Sequence, residues 1–134
     1  MAFQFSVAAR NAAIDAIETA IGAAPTLIIF AGTKPGDCSQ ADTGSTALAT
    51  LTLPSDWMSA ASNGSKSLLG TWSDTSADAA GNASYFRIKS GATCHIQGTV
   101  SATGGGGDMT LDNISIAAGQ QISITSFTLT AGGA

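Results

Sequence analysis

The chain has 134 residues, enough for one hydrophobic core but not for two. Only 10% of its residues are charged, against a usual share of about 25%. The net charge is −4, and the five basic residues (Arg10, Lys34, Lys66, Arg87, Lys89) form no cluster beyond Arg87 and Lys89. Nucleic acid is thereby excluded as a direct partner, because phosphate binding needs a basic footprint.

Hydrophobic residues make up 44%, much of it alanine, and aromatics 6%. The core is expected to rest on Ile, Leu and Val, with Phe and Trp as a few large anchors. Ser, Thr, Gly and Asn take the surface positions that Lys and Glu normally hold. Such a surface suits packing against other copies or another protein, since hydroxyls cost less to bury than charges. The start, MAFQFSVAARNAAIDAIE, lacks the basic region and long apolar run of a signal peptide. LIIFAG (27–32) is too short to span a bilayer. A soluble chain made in a cytoplasm, with no membrane partner, is expected.

In chain order, the first element is an amphipathic helix over 6–22. Val7, Ile14, Ile17 and Ile21 recur at three- and four-residue spacing and gather on one face. Ser6 is the expected N-cap, Gly22 the stop, and Pro25 prevents continuation. Arg10, Asp15 and Glu18 are expected on the other faces. From residue 26 to the end the pattern is strand-like. TLIIFAG (26–32) reads as a buried strand and GTKPGDCSQADTGS (32–45) as a turn-rich loop. ALATLTL (47–53) alternates, with Ala47, Ala49, Leu51 and Leu53 on one side and Leu48, Thr50 and Thr52 on the other.

PSDWMSAAS reads as a helical turn, and SLLGTWS (67–73), ASYFRIKS (83–90) and TCHIQGTVS (93–101) as further strands. MTLDNISI and QISITSFTLT supply the last ones. In the final strand Ile122 and Ile124 are even-numbered but Phe127 and Leu129 odd. The inward face must therefore switch near Thr125 and Ser126, through a bulge or a crossing between sheets. The expectation is a single mainly β domain over 1–134, with the helix at 6–22 and an antiparallel β-sandwich or jelly-roll over 26–134.

Candidate sites reduce to few. In a regular strand Cys94, Ile96 and Val100 share one face, while His95, Gln97 and Thr99 share the other. Cys94 is then a small buried hydrophobe, and Cys94 and His95 can neither chelate one metal nor act as a nucleophile–base pair. Two cysteines allow one bridge, Cys38 to Cys94, but free thiols in a reducing compartment are the first expectation. Gly104 to Gly107 precede Asp108 and a strand pattern, which suits a flexible turn between two strands rather than a phosphate cradle. Asp37, Asp42, Asp74, Asp78, Asp108 and Asp112 lie in loop-like stretches without calcium-loop spacing. Trp57 and Trp72 are expected in the core or at a subunit contact. No catalytic, cofactor-binding or metal-ligating residue is expected, and no enzyme.

Three stretches carry a resemblance: the opening MAFQFSVAARNAAIDAIETAIGAAP, the strand pair FRIKSGATCHIQGTVSATGGGGDMTLDNISI and the ending GQQISITSFTLTAGGA. The chain resembles small virion proteins of tailed bacteriophages, of the capsid decoration (cement) type. That resemblance implies a homo-oligomeric structural protein, made in the bacterial host cytoplasm and located in the virion. Its partners would be the major capsid protein or other virion proteins. Tail, collar or fibre components are the alternative, and a carbohydrate- or receptor-binding module with exposed Trp57, Trp72 and Tyr85 a further one. In this reading the helix face (Val7, Ile14, Ile17, Ile21) covers the sandwich or docks on a partner, and His95, Gln97 and Thr99 face a neighbour. Cys38 and Cys94 could then bridge once a virion leaves the reducing cytoplasm.

Overall fold

A computed structural model of the chain describes residues 3–133. Helix α1 occupies Val7–Ile21. Extended Ser6 caps it, its hydroxyl accepting the Ala9 N–H at 3.1 Å. Gly22, at φ +91°, ends it and donates its own N–H to the Glu18 carbonyl.

Among the described residues eleven short strands follow: β1 (Thr26–Ala31), β2 (Thr46–Thr52), β3 (Ser65–Ser67), β4 (Trp72–Asp74), β5 (Gly81–Asn82), β6 (Tyr85–Ser90), β7 (Thr93–Ala102), β8 (Met109–Leu111), β9 (Ser115–Ile116), β10 (Ile122–Ile124) and β11 (Thr128–Thr130). Five form one sheet in the order β2-β1-β6-β7-β8. The rest pair as three ribbons, β4 with β10, β3 with β11 and β5 with β9. The fold is mainly β and sandwich-like, with one N-terminal helix. One core joins Leu27, Ile29, Leu51, Phe86 and Ile88 of the sheet to Trp57, Trp72, Ile116, Ile122, Ile124 and Phe127.

The aromatic anchors stand in the middle of that core. Trp72 lies 6.1 Å from Trp57 and 5.6 Å from Phe127, whose ring meets Phe86 edge-on. Each indole N–H is satisfied, Trp57 by the Gly22 carbonyl at 3.0 Å and Trp72 by the Leu69 carbonyl at 3.2 Å. Trp57 thus fastens the end of α1 to the core.

The face switch expected near Thr125 is a crossing. β10 pairs with β4 and β11 with β3, so the chain passes from one ribbon to another between Ile124 and Thr128.

Several expectations are corrected. SLLGTWS is not one strand, because Gly70, at φ +76°, turns the chain between β3 and β4. PSDWMSAAS forms no helical turn; Met58 instead bridges to Leu68. In β2 the register steps between Ile29 and Phe30 of β1, leaving Leu48 as an extra residue. Leu48 and Ala49 are therefore both buried, against strict alternation.

The same device overturns the parity assigned around Cys94. Ile88 pairs with Ile96 and Lys89 with Cys94, so His95 is the extra residue of a bulge. Cys94 consequently shares the face of Lys89 and Arg87 rather than that of Ile96. Finally, β7 and β8 do not form a hairpin. They run parallel, with Val100 opposite Met109 and Ala102 opposite Leu111, so the glycine loop doubles back along its own strand instead of reversing it.

Candidate functional site

Three local arrangements hold most of the chain's charge and reactive side chains. The first is on the sheet face away from the core, where the β1–β2 loop (residues 32–45) lies across β6 and β7 as a strap. Arg87, 3% exposed, organises it. Its Nη2 donates to the carbonyls of Gln40 (2.8 Å) and Asp37 (3.2 Å), and its Nε to Gln97 Oε1 (3.2 Å). Nη1 lies 3.5 Å from the Asp42 carboxylate, which Lys89 also holds at 2.7 Å. Gln97 donates onward to the Pro35 carbonyl at 2.8 Å, and the Tyr85 hydroxyl to Ser45 Oγ at 2.6 Å. The Lys89 hydrogen bond holds the Asp42 carboxyl below its usual range; burial opposes this, and the Lys89 and Arg87 charges add to it.

Cys38 of the strap is bonded to Cys94 of β7, with 5.2 Å between their Cα atoms. The expectation of free thiols is thus corrected, and the bulge at His95 is the reason. It turns Cys94 out of the core onto the face the strap crosses.

The second arrangement docks the helix. Lys66 of β3 is 4% exposed and its Nζ sits 2.5 Å from Asp15 Oδ1 and 2.6 Å from Glu18 Oε1. Burial pulls the Lys66 pKa down, but the hydrogen bonds to Asp15 and Glu18 outweigh it, and the net direction is up. Asn11 accepts the Gly64 N–H at 2.8 Å, and Arg10 Nη1 donates to the Asn63 carbonyl at 3.2 Å. The helix therefore docks through a mixed stripe of Asn11, Ile14, Asp15, Glu18 and Ile21. Of the four apolar residues expected to form its buried face, Ile14 and Ile21 are buried, while Val7 and Ile17 are exposed. The acids, expected on other faces, instead flank the docking face, where both reach Lys66.

The third arrangement is the glycine loop. Asp108 Oδ2 accepts the Thr99 N–H at 2.9 Å and its hydroxyl at 3.2 Å, and Ser101 Oγ accepts the Gly107 N–H at 2.9 Å. The loop's polar groups close on its own strand. A Cβ on Gly107 would stand 2.7 Å from the Ser101 backbone nitrogen, so only glycine allows this approach.

Three other acids behave alike. Asp74 accepts from the Thr50 and Ser76 N–H groups, Asp78 from the Thr50 hydroxyl, and Asp37 from Ser39. Among the described residues no group of three or more His, Cys, Asp or Glu side chains could hold a metal ion.

No protein-family model matches the chain, and no curated protein or solved structure matches it either.

The expected outward face of β7 is mostly spoken for. His95 is exposed, but Gln97 lies half-buried under the strap and Thr99 is bonded to Asp108. These three residues do not form one open surface. The open apolar surface lies elsewhere, at the N-terminal arm: Phe3 is 61% exposed, Phe5 47%, Val7 44% and Ile17 41%. Phe3 and Phe5 meet edge-on at 5.4 Å, and the Phe5 N–H is tied to the Gly133 carbonyl at 2.7 Å. Beside them a groove of about 430 Å3 is lined by Ala9, Arg10, Ala13, Ile14 and Thr130–Gly132. The two phenylalanines were missed in the sequence because they precede the helix and carry no periodicity; their i, i+2 spacing was the available signal.

Proposed function

We propose that this chain is a non-enzymatic structural protein of a tailed-phage virion, of the capsid decoration type, which binds the major capsid protein lattice and stabilises it. One observation carries the reading: polar and apolar surface are segregated. Of the five large hydrophobic side chains exposed among the described residues, four (Phe3, Phe5, Val7 and Ile17) lie on the arm and helix, with Leu69 apart. Elsewhere most of the charged side chains are spent on the fold itself, as strap, helix dock and loop caps. An exposed apolar patch on an otherwise polar surface marks a protein contact.

A further fact supports this reading over a sugar-binding one. Trp57, Trp72 and Tyr85 are fully buried, so none offers a platform for a sugar ring. A decoration protein gains its hold by repeating one modest contact over a lattice, which asks for a sturdy fold and a sticky patch rather than a reactive centre.

The test is the copy number in purified particles, read by quantitative mass spectrometry against the major capsid protein. A fixed, high ratio to that protein is the expected result. A few copies, or a ring-like number, would move the chain to the tail, collar or fibre. Its absence from particles would overturn the reading.

A further inference from the structure

The two edges of the five-stranded sheet are finished differently. At the β2 edge, the Leu48 carbonyl accepts the N–H groups of Asp78 (2.7 Å) and Ala79 (3.4 Å), and the Thr50 N–H donates to Asp74 Oδ2 (2.9 Å). Residues 74–79 therefore occupy that edge. At the β8 edge no such hydrogen bond is made among the described residues. Successive residues of a parallel ladder turn their N–H and C=O alternately toward the partner strand and away from it. The Leu111 carbonyl accepts the Thr103 N–H at 3.0 Å on the β7 side, and Val100 to Ala102 pair with Met109 to Leu111. Met109 and Leu111 thus face β7, and Thr110 turns both of its backbone groups outward. Among the described residues neither group has a hydrogen-bond partner.

Thr110 stands in a groove of about 430 Å3, with Asp112 and Asn113 beside it and Gln121, Ser123 and Thr125 on the opposite wall. The lining contains no Lys and no Pro, the residues with which natural sheets guard an open edge. Its one charge is the exposed Asp112.

We infer that β8 is a strand-addition site. An extended segment of a partner protein pairs with Thr110 through backbone hydrogen bonds and sets a Lys or Arg opposite Asp112. A second copy of this chain is the poorer occupant: antiparallel pairing centred on Thr110 would set Asp108 of each copy opposite Asp112 of the other, with like charges directly opposed. The inference is independent of the virion reading, because it rests on the open ladder and its charge alone.

The probes are two acetylated, amidated peptides, Lys-Thr-Val-Thr-Lys and Glu-Thr-Val-Thr-Glu, titrated into the isotope-labelled full chain. Amide shifts and hydrogen exchange are followed by NMR. The lysine peptide is expected to shift the Thr110 amide and slow its exchange about tenfold at a concentration about nine times its Kd. The glutamate peptide should bind more weakly. Asp112→Lys should reverse that order. Thr110→Pro removes the outward N–H but no β7–β8 bond, so it should abolish binding while the Met109 and Leu111 amides stay protected. Perturbation that spares Thr110, equal binding of the two peptides, or an order unchanged by Asp112→Lys would overturn the site. Should Thr110→Pro fail to fold, the Asp112→Lys comparison decides alone.

Discussion

Arg87 and Gln40 meet where the strap crosses the sheet: the guanidinium Nη2 donates to the Gln40 carbonyl at 2.8 Å from a side chain that is almost wholly buried. Four groups of the strap and of β7 depend on that one side chain, so its loss strands several polar atoms together. Arg87→Met is expected to destabilise the chain by about 3 kcal/mol, the scale of breaking a buried charge cluster from one side. Urea unfolding of the two proteins measures it. A change within experimental error would mean that the strap contributes little to the fold.

The Cys38–Cys94 bond closes a sequence separation of 56 residues. The chain-entropy relation gives about 4 kcal/mol of stabilisation for a loop of this size. Cys38→Ser with Cys94→Ser should lower the unfolding free energy by nearly that amount, and added dithiol should do the same to the wild type. The polar contacts of Arg87, Gln97 and Lys89 should keep the strap seated in the double variant, so amide shifts of β6 and β7 outside the bridge should hardly move.

Acid should loosen the same strap. The folded-state pKa of Asp42 is depressed, chiefly by the Lys89 hydrogen bond. A depressed carboxylate contributes stability above its unfolded value of about 3.9 and loses it as pH falls through the folded value. Lys66 has the opposite sign. Its raised pKa makes its contribution complete below about 10.4 and lost as pH climbs through the folded value. Urea midpoints against pH should therefore fall at both ends, and Asp42→Asn should flatten the acid limb alone.

Much of the fold could be read from periodicity. The helix limits, the long strands and the crossing near Thr125 follow from apolar spacing, Ser6, Gly22 and the switch between Ile124 and Phe127. What escaped were the two bulges, at Leu48 and His95, because an extra residue is set by the register of a distant strand and leaves no local mark. That one miss at His95 hid the disulfide, since parity had sent Cys94 into the core. The parallel β7–β8 pairing was hidden for a different reason: a glycine run normally reads as a reversal, and only the contacts of Asp108 and Ser101 fold it back along β7. Likewise Lys66, on another element, decides which helix face docks.

The helix itself offers a contrast between neighbouring isoleucines. Ile14→Ala should cost about 2–4 kcal/mol, because its side chain is buried. Ile17→Ala should stay within about 0.5 kcal/mol in the isolated chain, because its side chain is exposed. Thermal or urea unfolding of both variants checks the pair. Equal costs would mean that Ile17 is covered in solution, as in a stable oligomer, which sedimentation would then show.

The most direct measurement concerns the apolar arm. Particles lacking the protein are incubated with wild-type chain or with the Phe5→Asp, Ile17→Asp double variant, and binding is read as bound copies per particle. The variant's fold is first checked by the blue-shifted emission of buried Trp57 and Trp72. Saturable wild-type binding at a fixed ratio to the major capsid protein, lost in the folded variant, is the predicted result. Wild-type chain that does not bind, or a folded variant that binds equally well, would contradict it.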